Sequence, residues 1–313
     1  MSETSNIIEI RELTKNYGDR RAIDRLSFNV KKGEVVGFLG PNGAGKTTTM
    51  KIITGFIAPT AGEVRIAGYD VFENPYEVKR RIGYLPETPP IYGDMIVADY
   101  LDFVARLKGV ESSRVPGLVA RALEKTQLTD VRKRLIQNLS KGYRQRVGLA
   151  QAIVSDPEIL ILDEPTVGLD PRQVAEIRNL LQELRGSHTI VLSTHILSEV
   201  QATCDRVIII NSGRIVAEDT LSGLSHRLRG NSQLHIRVRR NASDLAQALE
   251  RVPGITEVKM SGVQIRVQGN LNDDLIEKIA EAAVQQRSGL IELTQPDAGL
   301  ENIFIELTSQ QQQ

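Results

Sequence analysis

A chain of 313 residues has room for one large domain or two unequal ones. Lysine plus arginine equals aspartate plus glutamate at 39 each, so no overall field recruits an anionic surface, and direct nucleic-acid binding is not expected. The one cysteine, Cys204, excludes an internal disulfide, residues 1–6 carry no basic-then-apolar leader, and the longest aliphatic runs are too short to span a bilayer; taken alone, the chain is expected to be soluble and cytoplasmic.

Residues 7–10, 26–30 and 63–66 alternate apolar and polar side chains in period two, as half-buried strands do. Their early clustering predicts an antiparallel portion beside whatever site follows. Residues 34–39, 159–162, 189–193 and 206–210 are more continuously apolar, the pattern of a parallel core.

The first of these runs leads into Gly40-Pro41-Asn42-Gly43-Ala44-Gly45-Lys46-Thr47, and a helical pattern begins at Thr48. Glycine, four residues, Gly-Lys, then Ser or Thr, between a strand and a helix, is the P-loop arrangement. The glycines let consecutive backbone N–H groups turn toward a phosphate chain at the positive end of a helix. Lys46 adds a point charge for the β- and γ-phosphates, and the Thr47 hydroxyl suits Mg²⁺. A plain glycine-rich turn would require neither flanking element. The stretch therefore predicts a bound nucleoside triphosphate.

From about 88 to 155 the pattern is helical, with Val97, Leu101, Val104 and Ala105 on one face. Within it, Leu139-Ser140-Lys141-Gly142-Tyr143 opens a helix. Ser140 with nearby Gly142 offers a hydroxyl and free N–H groups, although by itself this is an ordinary N-cap. The run at 159–162 then ends in Asp163-Glu164. Carboxylates at the C-terminal tip of a buried strand lie where open α/β sheets bind ligands. Asp163 is expected to hold Mg²⁺ through water, and Glu164, projecting from the other side of the strand, to polarise the attacking water. Cys204 falls in a helical pattern and reads as core.

Beyond about residue 230 the character changes. Residues 228–232 read as a linker. A strand, helix, two strands, helix and strand follow near 233–240, 243–251, 256–261, 263–268, 273–287 and 290–295, the βαββαβ order of ferredoxin-like domains. Residues 299–307 read as a last amphipathic helix and 310–313 as a frayed tail. The expected division is thus 1–229 and 230–313.

The order of these motifs resembles the ATPase domain of ABC transporters over roughly residues 6–225. Residues 40–47 match its Walker A loop and 159–164 its Walker B. Residues 139–143 stand where the family has Leu-Ser-Gly-Gly-Gln. Gly168-Leu169-Asp170 looks like the D-loop, Ser193-Thr194-His195 like the switch, and Tyr17 like the aromatic that stacks on adenine. The run from Gly37 to Thr49 and Tyr84-Leu85-Pro86-Glu87 look like the ABC-2 export group.

That resemblance implies an α/β P-loop fold with an antiparallel β subdomain and a helical insertion, followed here by the small α+β domain. It implies Lys46, Glu164 and His195 as catalytic groups, and Thr47, Glu87 and Asp163 at Mg²⁺. Tyr17, the run Gly40 to Thr48, Ser140, Gly142 and Asp170 would contact ATP. It further implies a head-to-tail dimer of ATPase subunits, homodimeric or with a sister subunit, working on separate transmembrane permease subunits. The chain would then lie peripherally at the cytoplasmic face of the inner membrane.

Two departures stand out: Glu87, whose carboxylate cannot donate a hydrogen bond to water, where many relatives have Gln, and Lys141 and Tyr143 in place of Gly and Gln. Lys141 would either contact nucleotide or point into solvent, the second being favoured. Alternatives are a soluble ABC protein acting on ribosomes or nucleic acid, and a non-hydrolysing scaffold. A single motif set, the absence of sustained heptads and the intact Asp163-Glu164 pair weigh against them.

Overall fold

The computed structural model describes residues 6–223, 232–269 and 271–294. Packing divides the chain into two units, Met1–Glu218 and Asp219–Gln313. The expected boundary at 229/230, the last helix and the tail lie outside the described residues.

In the first unit the elements run β1 (Asn6–Tyr17), β2 (Arg20–Lys31), β3 (Val35–Leu39), α1 (Lys46–Ile53), β4 (Ala61–Ile66), β5 (Tyr69–Asp70), α2 (Pro75–Arg81) and β6 (Ile82–Leu85). The helical insertion follows as α3 (Val97–Leu107), α4 (Val115–Lys125), short 3₁₀ turns at Thr129–Val131 and Ile136–Asn138, and α5 (Lys141–Ile153). The unit closes with β7 (Ile159–Asp163), α6 (Pro171–Leu184), β8 (Thr189–Thr194), α7 (Leu197–Thr203), β9 (Arg206–Asn211) and β10 (Arg214–Thr220), whose last two residues pass into the second unit.

The period-two segments form an antiparallel sheet in the order β2-β1-β4-β5. Ile8, Ile10, Leu13, Leu26, Val30, Val64 and Ile66 are buried in its core. The continuously apolar runs form a six-stranded sheet, β10-β9-β3-β8-β7-β6, in which β9, β3, β8, β7 and β6 pair in parallel. Every residue of β3, β7 and β8 is buried, as strands covered on both faces must be.

Register decides where the chemistry gathers. Leu39 pairs with Thr194, and Asp163 pairs with Ser193. The P-loop, the acidic tip and the segment carrying His195 therefore leave the sheet side by side at its C-terminal edge.

The predicted face of α3 is the buried one, with Tyr100 added to it. Helix α5 lies close on β6: a Cβ on Gly83 would stand 1.9 Å from the Ala152 carbonyl oxygen. Only a glycine permits that approach, which seats the C-terminal end of α5 against the sheet.

The second unit contains β11 (Ser232–Val238), α8 (Ala242–Leu249), β12 (Ile255–Ser261), β13 (Gln264–Gly269), α9 (Asp273–Gln285) and β14 (Leu290–Thr294), the six expected elements in the expected order. The sheet is antiparallel, β12-β13-β11-β14. Leu234, Ile236, Val238, Ile265 and Val267 pack on Leu245, Leu249, Leu275 and Ile279 of the two helices, so one face of the sheet forms this unit's own core.

Candidate functional site

Lys46 opens α1, one turn beyond the end of β3. The preceding Gly45 has φ 108°, and a Cβ there would lie 2.8 Å from the Ala22 carbonyl oxygen, so the turn that aims the loop requires glycine. The Thr49 hydroxyl donates to the Gly45 carbonyl at 2.9 Å and stiffens the first turn. The Lys46 ammonium, 5% exposed, donates to the carbonyl oxygens of Gly40 at 2.8 Å and Pro41 at 3.3 Å, and lies 3.2 Å from Oε1 of Glu164.

Glu164 reaches this position by a different route from the one strand alternation predicts. Strand β7 ends at Asp163, and Glu164 has φ 50°, a left-handed conformation that is costly for a residue with a Cβ. Its backbone N–H donates to the Ser193 carbonyl at 2.9 Å. The turn swings the carboxylate over the P-loop, where Oε2 stands 2.9 Å from Nδ1 of His195. A carboxylate accepts there only if Nδ1 carries the proton.

A cavity of about 550 Å³ collects Asn42, Gly43, Gly45, Lys46, Thr47 and Thr48 with Tyr17, Glu87, Glu164 and His195. Gly40 and Pro41 act through the carbonyls that hold Lys46, while Ala44 is buried beneath the loop with its carbonyl accepting from Gly213 N–H. Tyr17, 49% exposed, comes from the β1–β2 hairpin, in which it pairs with Arg20. Arg20, Ala22 and Val167 also line the cavity and were not expected. The Gly18-Asp19 turn was a sequence signal that could have placed Arg20 opposite Tyr17.

Asp163 is fully buried beneath the loop and lines an adjoining cavity with Thr47 and Glu87. Burial, the largest cause, pushes its carboxyl pKa up; the Ser193 and Thr47 hydroxyls beside it pull the other way, and the charges of Glu164 and Glu87 add to the rise. Neither carboxylate oxygen completes a hydrogen bond, and Ser193 Oγ is also unpaired. The donors gathered here are hydroxyl and carboxylate oxygens, the ligand type that suits a hard divalent cation.

Ser140, Gly142 and Asp170 stand apart from this cavity. Ser140 caps α5, accepting from Tyr143 N–H at 3.4 Å, and Asp170 caps α6, accepting from Gln173 N–H at 2.9 Å. The two helix starts touch each other: a Cβ on Gly142 would lie 2.5 Å from the Gln173 side-chain amide, and one on Gly168 would lie 2.0 Å from Nζ of Lys141. Lys141 is exposed, as expected, but its ammonium lies over the turn that precedes Asp170.

Two buried polar residues that sequence reasoning missed hold the segment after Glu164. Gln145 of α5 donates to the Pro165 carbonyl at 3.0 Å, and Glu199 of α7 accepts from the hydroxyls of Thr166 and Thr194. Neither carries a sequence signal, since both fall where amphipathic helices commonly place solvated polar residues.

The family model described as ABC transporter matches residues 23–167. Over 305 residues the chain is 35% identical to the bacitracin transport ATP-binding protein of Bacillus licheniformis, covering 97% of each chain. Over 308 residues it is 33% identical to the Nod factor export ATP-binding protein I of Paraburkholderia xenovorans, covering 98% of each. A solved dimeric ATP-binding cassette in a post-hydrolysis state, bound to ADP and Pi, matches with a TM-score of 0.63 at 25% identity, over 68% of this chain and 98% of that one. With its P-loop, buried acidic tip and near full-length relatives, the chain belongs to the ABC transporter family as an ATP-binding subunit.

Proposed function

We propose that the chain hydrolyses MgATP within a head-to-tail dimer and so drives export through separate membrane subunits. The observation that carries this reading is the Lys46–Glu164–His195 constellation, assembled over Asp163 at the C-terminal edge of the parallel sheet. Lys46 would exchange its contact with Glu164 for the β- and γ-phosphates of an incoming nucleotide. Glu164, released, would take a proton from the attacking water, and His195 would contact the γ-phosphate. Positioning and charge stabilisation supply most of the catalysis in phosphoryl transfer. Tyr17, at the mouth of the cavity, offers a ring face to adenine.

Thr47, Asp163 and Glu87 would hold Mg²⁺, which when bound neutralises charge developing on the β- and γ-phosphate oxygens. The unpaired, buried oxygens of Asp163 support this assignment. Among the described residues no three His, Cys, Asp or Glu side chains converge as a complete cage, so most ligands would come from water and phosphate, the usual mode for this ion.

Ser140, Gly142 and Asp170 point to the dimer. They share one surface, away from the cavity of their own chain, and a second copy turned head to tail would bring them to its nucleotide. That the solved relative bound to ADP and Pi is dimeric supports a dimer here.

Among the described residues no helix is long and apolar enough to cross a membrane, so export would require partner subunits at the cytoplasmic membrane face. Phe56, Tyr92, Phe103 and Leu107 are exposed in the first unit, and Phe56 lines the cavity of about 670 Å³ that also holds Glu87, Thr88 and Pro90. The exposed Tyr92 and Phe103 rings, 6.1 Å apart between centroids, support docking of a membrane subunit near residues 87–95. The direction of transport follows the export relative, and near full-length similarity to transport proteins disfavours the ribosome or nucleic-acid alternative. The second unit would be a ferredoxin-like domain, a reading that its element and strand order support, and would serve dimer contact or regulation.

The test is ATP turnover by the purified chain with and without Mg²⁺, together with recovery of membrane proteins on Glu164→Gln from mild detergent in MgATP. Magnesium-dependent turnover and stoichiometric integral membrane partners are expected. Ribosomal proteins or nucleic acid as the only partners would overturn the exporter reading.

A further inference from the structure

We infer that Glu199 is a positioning residue for hydrolysis: its carboxylate ties the Glu164 turn to the His195 turn. The inference rests on the proposed catalytic roles of Glu164 and His195. Glu199 lies in the first turn of α7 and is 5% exposed. One carboxylate oxygen accepts from the hydroxyl of Thr166, two residues after Glu164, and the other accepts from the hydroxyl of Thr194, immediately before His195, at 2.7 Å. Both threonines are buried as well, and Thr194 Oγ1 also accepts from the Ile196 backbone N–H at 3.0 Å. The carboxylate thus bridges the exits of β7 and β8 at the point where each delivers its catalytic group.

Two features say that more than core filling is involved. A buried carboxylate is costly unless its acceptor capacity is met, and an apolar side chain would fill the same space without that cost. The group it steadies is also strained: Glu164 has φ 50°, a conformation that persists only when its surroundings over-determine it. Apart from the Glu164 carboxylate's own contacts with Lys46 and His195 and its carbonyl accepting from Val167 N–H, three hydrogen bonds from other segments hold this turn among the described residues: the Glu164 N–H on Ser193, the Gln145 amide on Pro165, and the Glu199 bridge on Thr166. Of the three, the bridge alone also grips the residue that precedes His195. Its carboxylate form is specific, because two hydroxyl donors require an acceptor at both oxygens. A glutamine offers only one, and Thr194 Oγ1 already accepts from the backbone.

The test compares full-length Glu199→Gln and Thr166→Val with the parent in steady-state ATP turnover, MgATP affinity and thermal unfolding. The expected result is a kcat lowered about 10- to 100-fold, the scale of a misplaced catalytic group, with nucleotide Kd within about threefold. Thr166→Ser, which restores the hydroxyl, should recover kcat. In the Glu164→Gln background, Glu199→Gln should cause no further loss, since it acts through the group already removed. A kcat within about twofold of the parent in both variants would overturn the inference. So would parallel loss of kcat, nucleotide affinity and unfolding temperature, or an additive loss in the double variant. If Glu199→Gln fails to fold, Thr166→Val against Thr166→Ser decides the matter. Near-normal turnover by Glu164→Gln alone would instead remove the catalytic reading itself, so the two failures are distinguishable.

Discussion

The ammonium of Lys46 lies 3.2 Å from Oε1 of Glu164, and both side chains are almost fully buried. The cation proposed to bind phosphate is therefore paired with the residue proposed to activate water. In the proposed mechanism a nucleotide entering the cavity would compete with Glu164 for Lys46, and success would free the carboxylate for its own task. Binding and activation would thereby be coupled through one ion pair.

Glu164→Gln should separate the two functions. Turnover is expected to fall by at least about 10²-fold, because the amide cannot take a proton from water. MgATP affinity should stay the same or improve, because Lys46 no longer has a charged competitor. Fluorescent-nucleotide titration beside a phosphate-release assay reads both; weakened binding would show that the pair does not compete with nucleotide.

Asp163 supplies a prediction about stability. Burial raises its carboxyl pKa above the ordinary 3.8, with Glu164 and Glu87 adding to that rise. An acid raised on folding holds its proton more tightly in the native state. Its contribution to stability is therefore lost as pH climbs from the ordinary aspartate range through the raised native value. Asp163→Asn removes that penalty. The free protein should melt about 2–4 °C higher at pH 7.5, the shift expected of ~1 kcal/mol at this size, and the gain should vanish at acid pH. The same variant should lose Mg²⁺-dependent turnover. Calorimetry at the two pH values, with and without MgATP, would check both signs.

Cys204 should be chemically silent in the native protein. Burial is the main cause that pushes its thiol up to about 12, so almost no thiolate exists near neutrality. It packs where α7 meets β3, within 3.1 Å of a Cβ placed on Gly37. Disulfide-exchange reagents should label it only as fast as the protein unfolds; rapid labelling in native buffer would contradict this packing.

Two glycines separate a functional from a structural requirement. A Cβ on Gly142 meets only the tip of the Gln173 side chain, which can move aside. Gly142→Ala should fold with a melting temperature within about 3 °C of the parent, a change of ~1 kcal/mol or less, yet lose most ATP turnover. By contrast, a Cβ on Gly83 meets the Ala152 backbone carbonyl at 1.9 Å, and no side-chain motion relieves that. Gly83→Ala should destabilise by about 3 kcal/mol or more through displacement of α5. Unfolding curves for the pair test the contrast; equal loss of stability in both would refute it.

Much of this protein follows from its sequence by itself. Continuous apolar runs marked β3, β7, β8 and β9, period-two alternation marked the antiparallel sheet, and the Gly40–Thr47 spacing between strand and helix marked the phosphate loop. These were legible because each depends on local periodicity or on backbone geometry within one turn. Tertiary structure alone decided how the site is held. The register of three parallel strands sets the exits at Leu39, Asp163 and Thr194 side by side, the left-handed turn at Glu164 replaces strand alternation, and Gln145 and Glu199 arrive from helices elsewhere in the chain. In a one-dimensional pattern a buried carboxylate such as Glu199 looks the same as a solvated one. Only the packing of α7 against the strand exits makes it an acceptor for two hydroxyls and gives it a role.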